Sequence, residues 1–207
     1  MEREYQALQL RELGAGSGFR RPTQAQAARV TLESPALDVM TDLARVTPAT
    51  IRPQASLSGA NQFMITRGVR LLLVVDDHEV VLGVITATDI LGERPMLVAT
   101  ERGLRRDELA VADVMTPAGG VEVIELAQVE GSRVGHVLET LRRAGRQHAL
   151  VVDFDLIPAT RPLAPPAKRT LVRGIFSISQ IARQLGVSLP AGGEVALTFS
   201  EINAAIR

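Results

Sequence analysis

Two stretches of this chain bring together residues able to hold a ligand. Gly83-Val84-Ile85-Thr86-Ala87-Thr88-Asp89-Ile90-Leu91 and Gly174-Ile175-Phe176-Ser177-Ile178-Ser179-Gln180-Ile181-Ala182 share one pattern. It runs glycine, two apolar residues, a hydroxyl residue, then Asp or Gln three positions later. The apolar pair suits a buried strand, and Thr or Ser with Asp or Gln three residues on suits a helix start. A chain passing from strand to helix there gathers free backbone N–H groups, a hydroxyl and, in the first copy, a carboxylate. Such a corner can hold a phosphate and a sugar hydroxyl. It can equally be a plain helix cap. In the second copy Ser177-x-x-Gln180 reads as a capping box, and Gln180 would meet a diol without charge assistance. That half-site is expected to be weak, empty or tuned to something else.

The other polar groups suggest less. Asp76-Asp77-His78-Glu79 reads as a solvated hairpin tip, and His78, His136 and His148 show no ligand spacing, so no metal is expected. Gly14-x-Gly16-x-Gly18 has Phe19 where a dinucleotide fingerprint needs its third glycine, and no strand precedes it; a linker is expected. Arg142, Arg143 and Arg146 suit a helix C-terminus rather than a nucleic-acid surface. With no Walker loop, nucleophile elbow or cysteine, no catalytic residue is assigned.

The elements that must position these corners recur. Ser34-Pro35 opens a short helix with Ser34 as cap, Thr50-Ile51 is extended, and residues 56–67 form a helix ended by Gly68. Leu71–Val75 is a buried strand, residues 80–85 return, and a helix follows from Asp89, interrupted at Gly92 and Pro95. Asp38-Val39-Met40-Thr41 then reappears as Asp113-Val114-Met115-Thr116, offset by 75, and Val74-Val75-Asp76 as Val151-Val152-Asp153, offset by 77. The glycine motif is offset by 91, so 14 extra residues lie between Asp153 and Gly174. One unit is used twice. The extra segment, 157–170, is proline-rich and reads as an extended hairpin loop. Residues 121–126 form a strand, and residues 134–143 a helix closed by Gly145. Its stripe of Val134, Val137, Leu138 and Leu141 is core or a dimer face. Residues 3–13 suit a short amphipathic helix, and 195–199 a last strand before a helix capped by Ser200. The organisation is an extension (1–33), a first repeat (34–110), a second repeat carrying the insert (111–190) and a C-terminal extension (191–207). Two α/β units of this size bury their sheets by packing together about a pseudo-twofold axis, with both corners on a shared cleft.

Composition narrows the function class. Lys+Arg and Asp+Glu each number 23, so no overall basic field invites nucleic acid. Apolar residues make up 46%, which excludes wholesale disorder. Cysteine is absent, which removes disulfides and thiolate sites. The start alternates charge with Leu and Gln, and the longest aliphatic run is far short of the ~20 residues of a membrane span. A soluble cytoplasmic protein without membrane or nucleic-acid partners is expected.

With the D-V-M-T segment, the V-V-D strand and the G-h-h-T-x-x-D turn all occurring twice, residues 34–185 resemble a tandem pair of cystathionine-β-synthase (CBS) domains. The resemblance implies an α/β (α+β) fold of two β-α-β-β-α repeats packed as a Bateman module, usually a homodimer. It implies an adenosine ligand between the repeats: AMP, ADP, ATP, S-adenosylmethionine or NAD. The roles it implies are ribose binding for Asp89 and phosphate binding for Thr86. Residues near Thr50, Ile51, Leu71 and Leu73 are candidates for an apolar adenine slot. Family members often carry Pro where Leu73 and Leu150 stand. The function expected is a stand-alone regulatory module that signals to an effector protein. The alternatives are a ligand-free dimeric scaffold and an enzyme using Asp89.

Overall fold

The computed structural model describes residues 29–157, 167–187 and 202. The helix expected at 3–13, the glycine run, the strand at 195–199 and the helix capped by Ser200 lie outside the described residues, Ile202 excepted. A 3-10 turn at Ala36–Val39 leads into β1 (Thr41–Asp42). Ser34 does not cap this turn: its hydroxyl accepts the Thr31 N–H at 2.9 Å, and Pro35 occupies the cap position. Then come β2 (Thr50–Ile51), α1 (Leu57–Arg67), β3 (Leu71–Val75) and β4 (Val81–Thr86). Ser56 caps α1 by accepting the Gly59 N–H at 3.1 Å, and Gly68 ends it at φ 65, a conformation that favours glycine. The interruption expected after Asp89 is a full break between α2 (Ala87–Leu91) and α3 (Arg94–Arg102). Pro95 has no N–H to donate and sits in the first turn of α3, where none is needed.

The second half repeats the plan. After α4 (Val111–Val114) and β5 (Thr116–Pro117) come β6 (Val123–Glu125), α5 (Leu126–Glu130) and α6 (Val134–Ala144). The chain continues through β7 (His148–Ile157), β8 (Ala167–Ser177) and α7 (Ile178–Gln184). The two sheets run β2-β3-β4-β5 and β6-β7-β8-β1. In each, the first pair is parallel and the other two antiparallel. Each hairpin is irregular at matched places, Val74/Val75 and Val151/Val152. The β7–β8 ladder reaches Ile157↔Ala167, so the ends of the proline-rich segment are strand rather than loop; residues 158–166 lie outside the described residues.

The outer strands are exchanged. β1 precedes the first repeat yet edges the second sheet, with Thr41 opposite Ile175, while β5 edges the first, with Thr116 opposite Val84. Period-2 alternation explains why all of β3 is buried. Leu72 and Val74 face α1 and its neighbours, while Leu71, Leu73 and Val75 face a core between the sheets, shared with Val84 and Leu150. Val134, Val137, Leu138 and Leu141 pack into the core of the second repeat with Phe176 and Ile181, so that stripe is core.

Candidate functional site

At the first corner Thr86 is the N-cap of α2, and its bonds are mutual with Asp89. The Thr86 hydroxyl accepts the Asp89 N–H at 3.2 Å, and Asp89 Oδ2 accepts the Thr86 N–H at 2.9 Å and its hydroxyl at 2.7 Å. The Ala87 N–H goes to the Arg70 carbonyl at 3.0 Å. Two of the amides expected to be free here, those of Ala87 and Asp89, are therefore used internally, and α2 is a single turn. Asp89 Oδ1 is the less committed oxygen, with Arg94 Nη1 at 3.4 Å. Arg94 also donates to the Met115 carbonyl at 3.0 Å, tying α3 to the start of β5.

The second corner is wired differently. Ser177 precedes α7 but caps nothing in it; its hydroxyl lies 3.0 Å from that of Ser179. Gln180 Oε1 accepts the Thr41 hydroxyl at 3.0 Å. The capping box expected of Ser177 and Gln180 is absent because strand exchange places Thr41 beside Gln180. With Oε1 engaged, the carboxamide keeps its N–H donors for other partners.

Two cavities open between the repeats, one at each corner. The first, about 290 Å³, is lined by Thr86, Thr88 and Asp89 with Thr116 and, from the other repeat, Glu122, Arg146 and His148. Arg146 pairs with Glu122 at 3.2 Å. The second, about 600 Å³, is lined by Ser177, Ser179, Gln180 and Arg183 with Thr41 and the 47–49 segment, and by Arg67 and Arg70 of the first repeat. The pseudo-twofold axis relates the two, matching Asp89 with Gln180, Thr116 with Thr41 and Gly145 with Gly68. Thr50 and Leu73, expected beside Thr86 and Asp89, line neither cavity. Leu73 is buried between the sheets, and the segment before β2 faces the Ser177 corner instead.

Leu71 and His148, matched at the offset of 77, line both cavities. Burial first, and then the charge of Arg70, push the His148 imidazole down to about 4, while Asp89 pulls the other way. The ring is therefore neutral near pH 7 and stands between the cavities. Sequence reasoning weighed His148 only as a metal ligand; its place opposite Leu71 in the repeat was the signal for a position in the cleft.

Among the described residues no group of three or more His, Asp or Glu is arranged to hold a metal, and no helix is long and apolar enough to cross a membrane. The turn at Asp76 is held by its own carboxylate, which accepts the His78 and Val80 N–H groups at 2.9 Å each. Arg142 and Arg143 pair with Glu139, consistent with a solvated helix end.

The family model for the CBS domain matches residues 36–95. A conserved protein from Pyrococcus horikoshii has a similar solved structure, with a TM-score of 0.51 at 21% identity over 79% of this chain and 100% of that one. A CBS domain pair solved with 5′-methylthioadenosine and S-adenosyl-L-methionine is similar at a TM-score of 0.47 and 22% identity, over 74% of this chain and 96% of that one. A CBS-pair protein from Arabidopsis thaliana, solved with AMP, gives 0.46 and 18%, over 72% and 94%. No curated protein matches the chain in sequence. The matched segment carries β2, β3 and β4 of the first sheet, and the second sheet repeats that sheet's strand order, pairing and bulge, so the fold is that of a CBS-domain pair.

Proposed function

We propose that the protein is a regulatory module that binds an adenosine ligand between its repeats and passes occupancy to an effector protein. The observation that carries this is the pair of cavities, each walled by both repeats and each holding one copy of the strand-to-helix corner. A ligand bridging the repeats binds one relative placement of them better than another, and that difference in affinity is what shifts a population. At the first cavity Asp89 Oδ1 and the Thr88 hydroxyl are the groups for a ribose. Its volume of about 290 Å³ is near the lower end of ligand clefts. Thr50 and Leu73 have no part in this reading, and Thr86 acts by fixing Asp89. The reading includes a homodimer, supported by Leu91, Met96 and Leu97 exposed on the consecutive helices α2 and α3.

The test is calorimetric titration with AMP, ADP, ATP, S-adenosylmethionine and NAD, on the wild type and Asp89→Ala. Micromolar binding that Asp89→Ala weakens supports the sensor and names the effector. A folded protein that takes up none of the five is a scaffold instead.

A further inference from the structure

The two cavities are related by the pseudo-twofold axis but opposite in charge. The first has two carboxylates, Asp89 and Glu122, against one arginine, Arg146. The second has three arginines, Arg67, Arg70 and Arg183, and no carboxylate among the described residues that line it. Most, though not all, of the other described arginines pair with carboxylates, ten in all. None of the three in the second cavity does so among the described residues; Arg67 instead lies over the Phe63 ring, 5.8 Å from its centroid.

The uncharged groups agree with this sign. Where the first cavity presents a carboxylate, the second presents Gln180, whose oxygen is held by Thr41 at 3.0 Å and whose N–H groups remain to donate. The hydroxyls of Thr47, Ser177 and Ser179 add donors on the same walls. Guanidinium groups without carboxylate partners are available to an anion, and they match phosphate oxygens in geometry as well as charge. Three guanidiniums exceed the charge of one phosphate monoester and come closer to that of a di- or triphosphate chain. The cavity also has the room, at about twice the volume of the first.

Resting on the reading above that these cavities take adenosine ligands, we infer that the Gln180 cavity is selective for a di- or triphosphate chain. The Asp89 cavity takes the less anionic ligand. The glutamine is then a change of ligand class rather than a loss of function. The phosphate chain lies along Arg70 and Arg183, one from each repeat, so that its charge holds the repeats together.

The experiment is calorimetry on the full chain without Mg²⁺, using adenosine, AMP, ADP, ATP and tripolyphosphate. Affinity should rise at least about tenfold from AMP to ATP, each added phosphate bringing charge-assisted bonds. Arg70→Gln and Arg183→Gln should each flatten that rise to within about threefold. Arg183 is exposed on α7, so its substitution does not threaten the core. Tripolyphosphate binding as tightly as ATP assigns the cavity to the free anion, and binding about tenfold weaker assigns it to the nucleotide. AMP and ATP binding equally, or a rise that survives both arginine variants, overturns the inference while leaving the sensor reading intact. No binding of any adenosine ligand overturns the sensor reading itself.

Discussion

Gly83 and Gly174 hold the same place in the repeated motif, yet alanine should cost very different amounts at the two. Neither has a positive φ, so contact alone decides. A Cβ on Gly83 would overlap the Thr116 carbonyl oxygen and stand 3.0 Å from Pro117 Cα, because Gly83 lies opposite Pro117 in the β4–β5 ladder. Both obstacles are backbone, and β5 can retreat only by giving up its pairing. A Cβ on Gly174 would overlap Met40 Sδ and lie 2.7 Å from Met40 Cγ. That obstacle is a flexible thioether that can turn away. Overpacking costs about 1–3 kcal/mol, and Gly83→Ala should fall in the upper part of that range, at about 2–3 kcal/mol. For Gly174→Ala the smaller strain falls at or below the lower end of that range, a loss of about 1 kcal/mol or less. At about 2–4 °C per kcal/mol for a chain of this size, Gly83→Ala lowers the melting temperature by about 4–12 °C, and Gly174→Ala by less than about 4 °C. Thermal melts followed by circular dichroism, with urea titrations for free energy, measure both. Equal losses would refute the reasoning, since β5 would then not be seated against Gly83.

Three further outcomes are expected. His148 titrates near 4 when folded against about 6.5 when unfolded, so between these values the unfolded chain binds a proton that the folded chain does not. Its contribution, at most about 3 kcal/mol and reduced by water in the two cavities, is full above pH 6.5 and declines as pH falls toward 4. Urea midpoints between pH 7 and 5 should fall more steeply for the wild type than for His148→Leu; parallel slopes would exclude the ring as the cause. Asp89→Asn keeps an acceptor for the Thr86 N–H and loses a partly exposed pair with Arg94, so its stability cost should stay below about 1 kcal/mol. Its ligand affinity in calorimetry should nonetheless drop about tenfold, and an unchanged affinity would remove Asp89 from the site. Leu72→Ala, at a fully buried position, should cost about 2–5 kcal/mol by denaturant titration, whereas Leu91→Ala on the exposed face of α2 should cost under about 1 kcal/mol.

Much of this architecture was legible in the residues because it depends on local periodicity. The five aliphatic residues of β3, the glycine after α1, the glycine after α6 and the doubled motifs each carry their own signal over a few positions. Ser56 and Gly68 cap α1 for reasons contained within α1. The doubling of D-V-M-T and G-h-h-T also carries the idea of two repeats facing one another, since neither sheet can bury both faces alone.

What tertiary structure decided is who meets whom across the axis. Nothing in Asp38-Val39-Met40-Thr41 says that Thr41 will edge the second sheet, because strand pairing depends on which unpaired edge lies within reach after both repeats have folded. That exchange places Thr41 against Gln180, and so replaces the capping box that Ser177 and Gln180 spell out locally. It also turns the segment before β2 toward the Ser177 corner, and leaves Thr50 and Leu73 away from both cavities. Arg67 and Arg70 are far from Arg183 in the chain, and each is unremarkable singly. Only the fold gathers their charge into one cavity, because electrostatics act through space while sequence patterns act along the backbone.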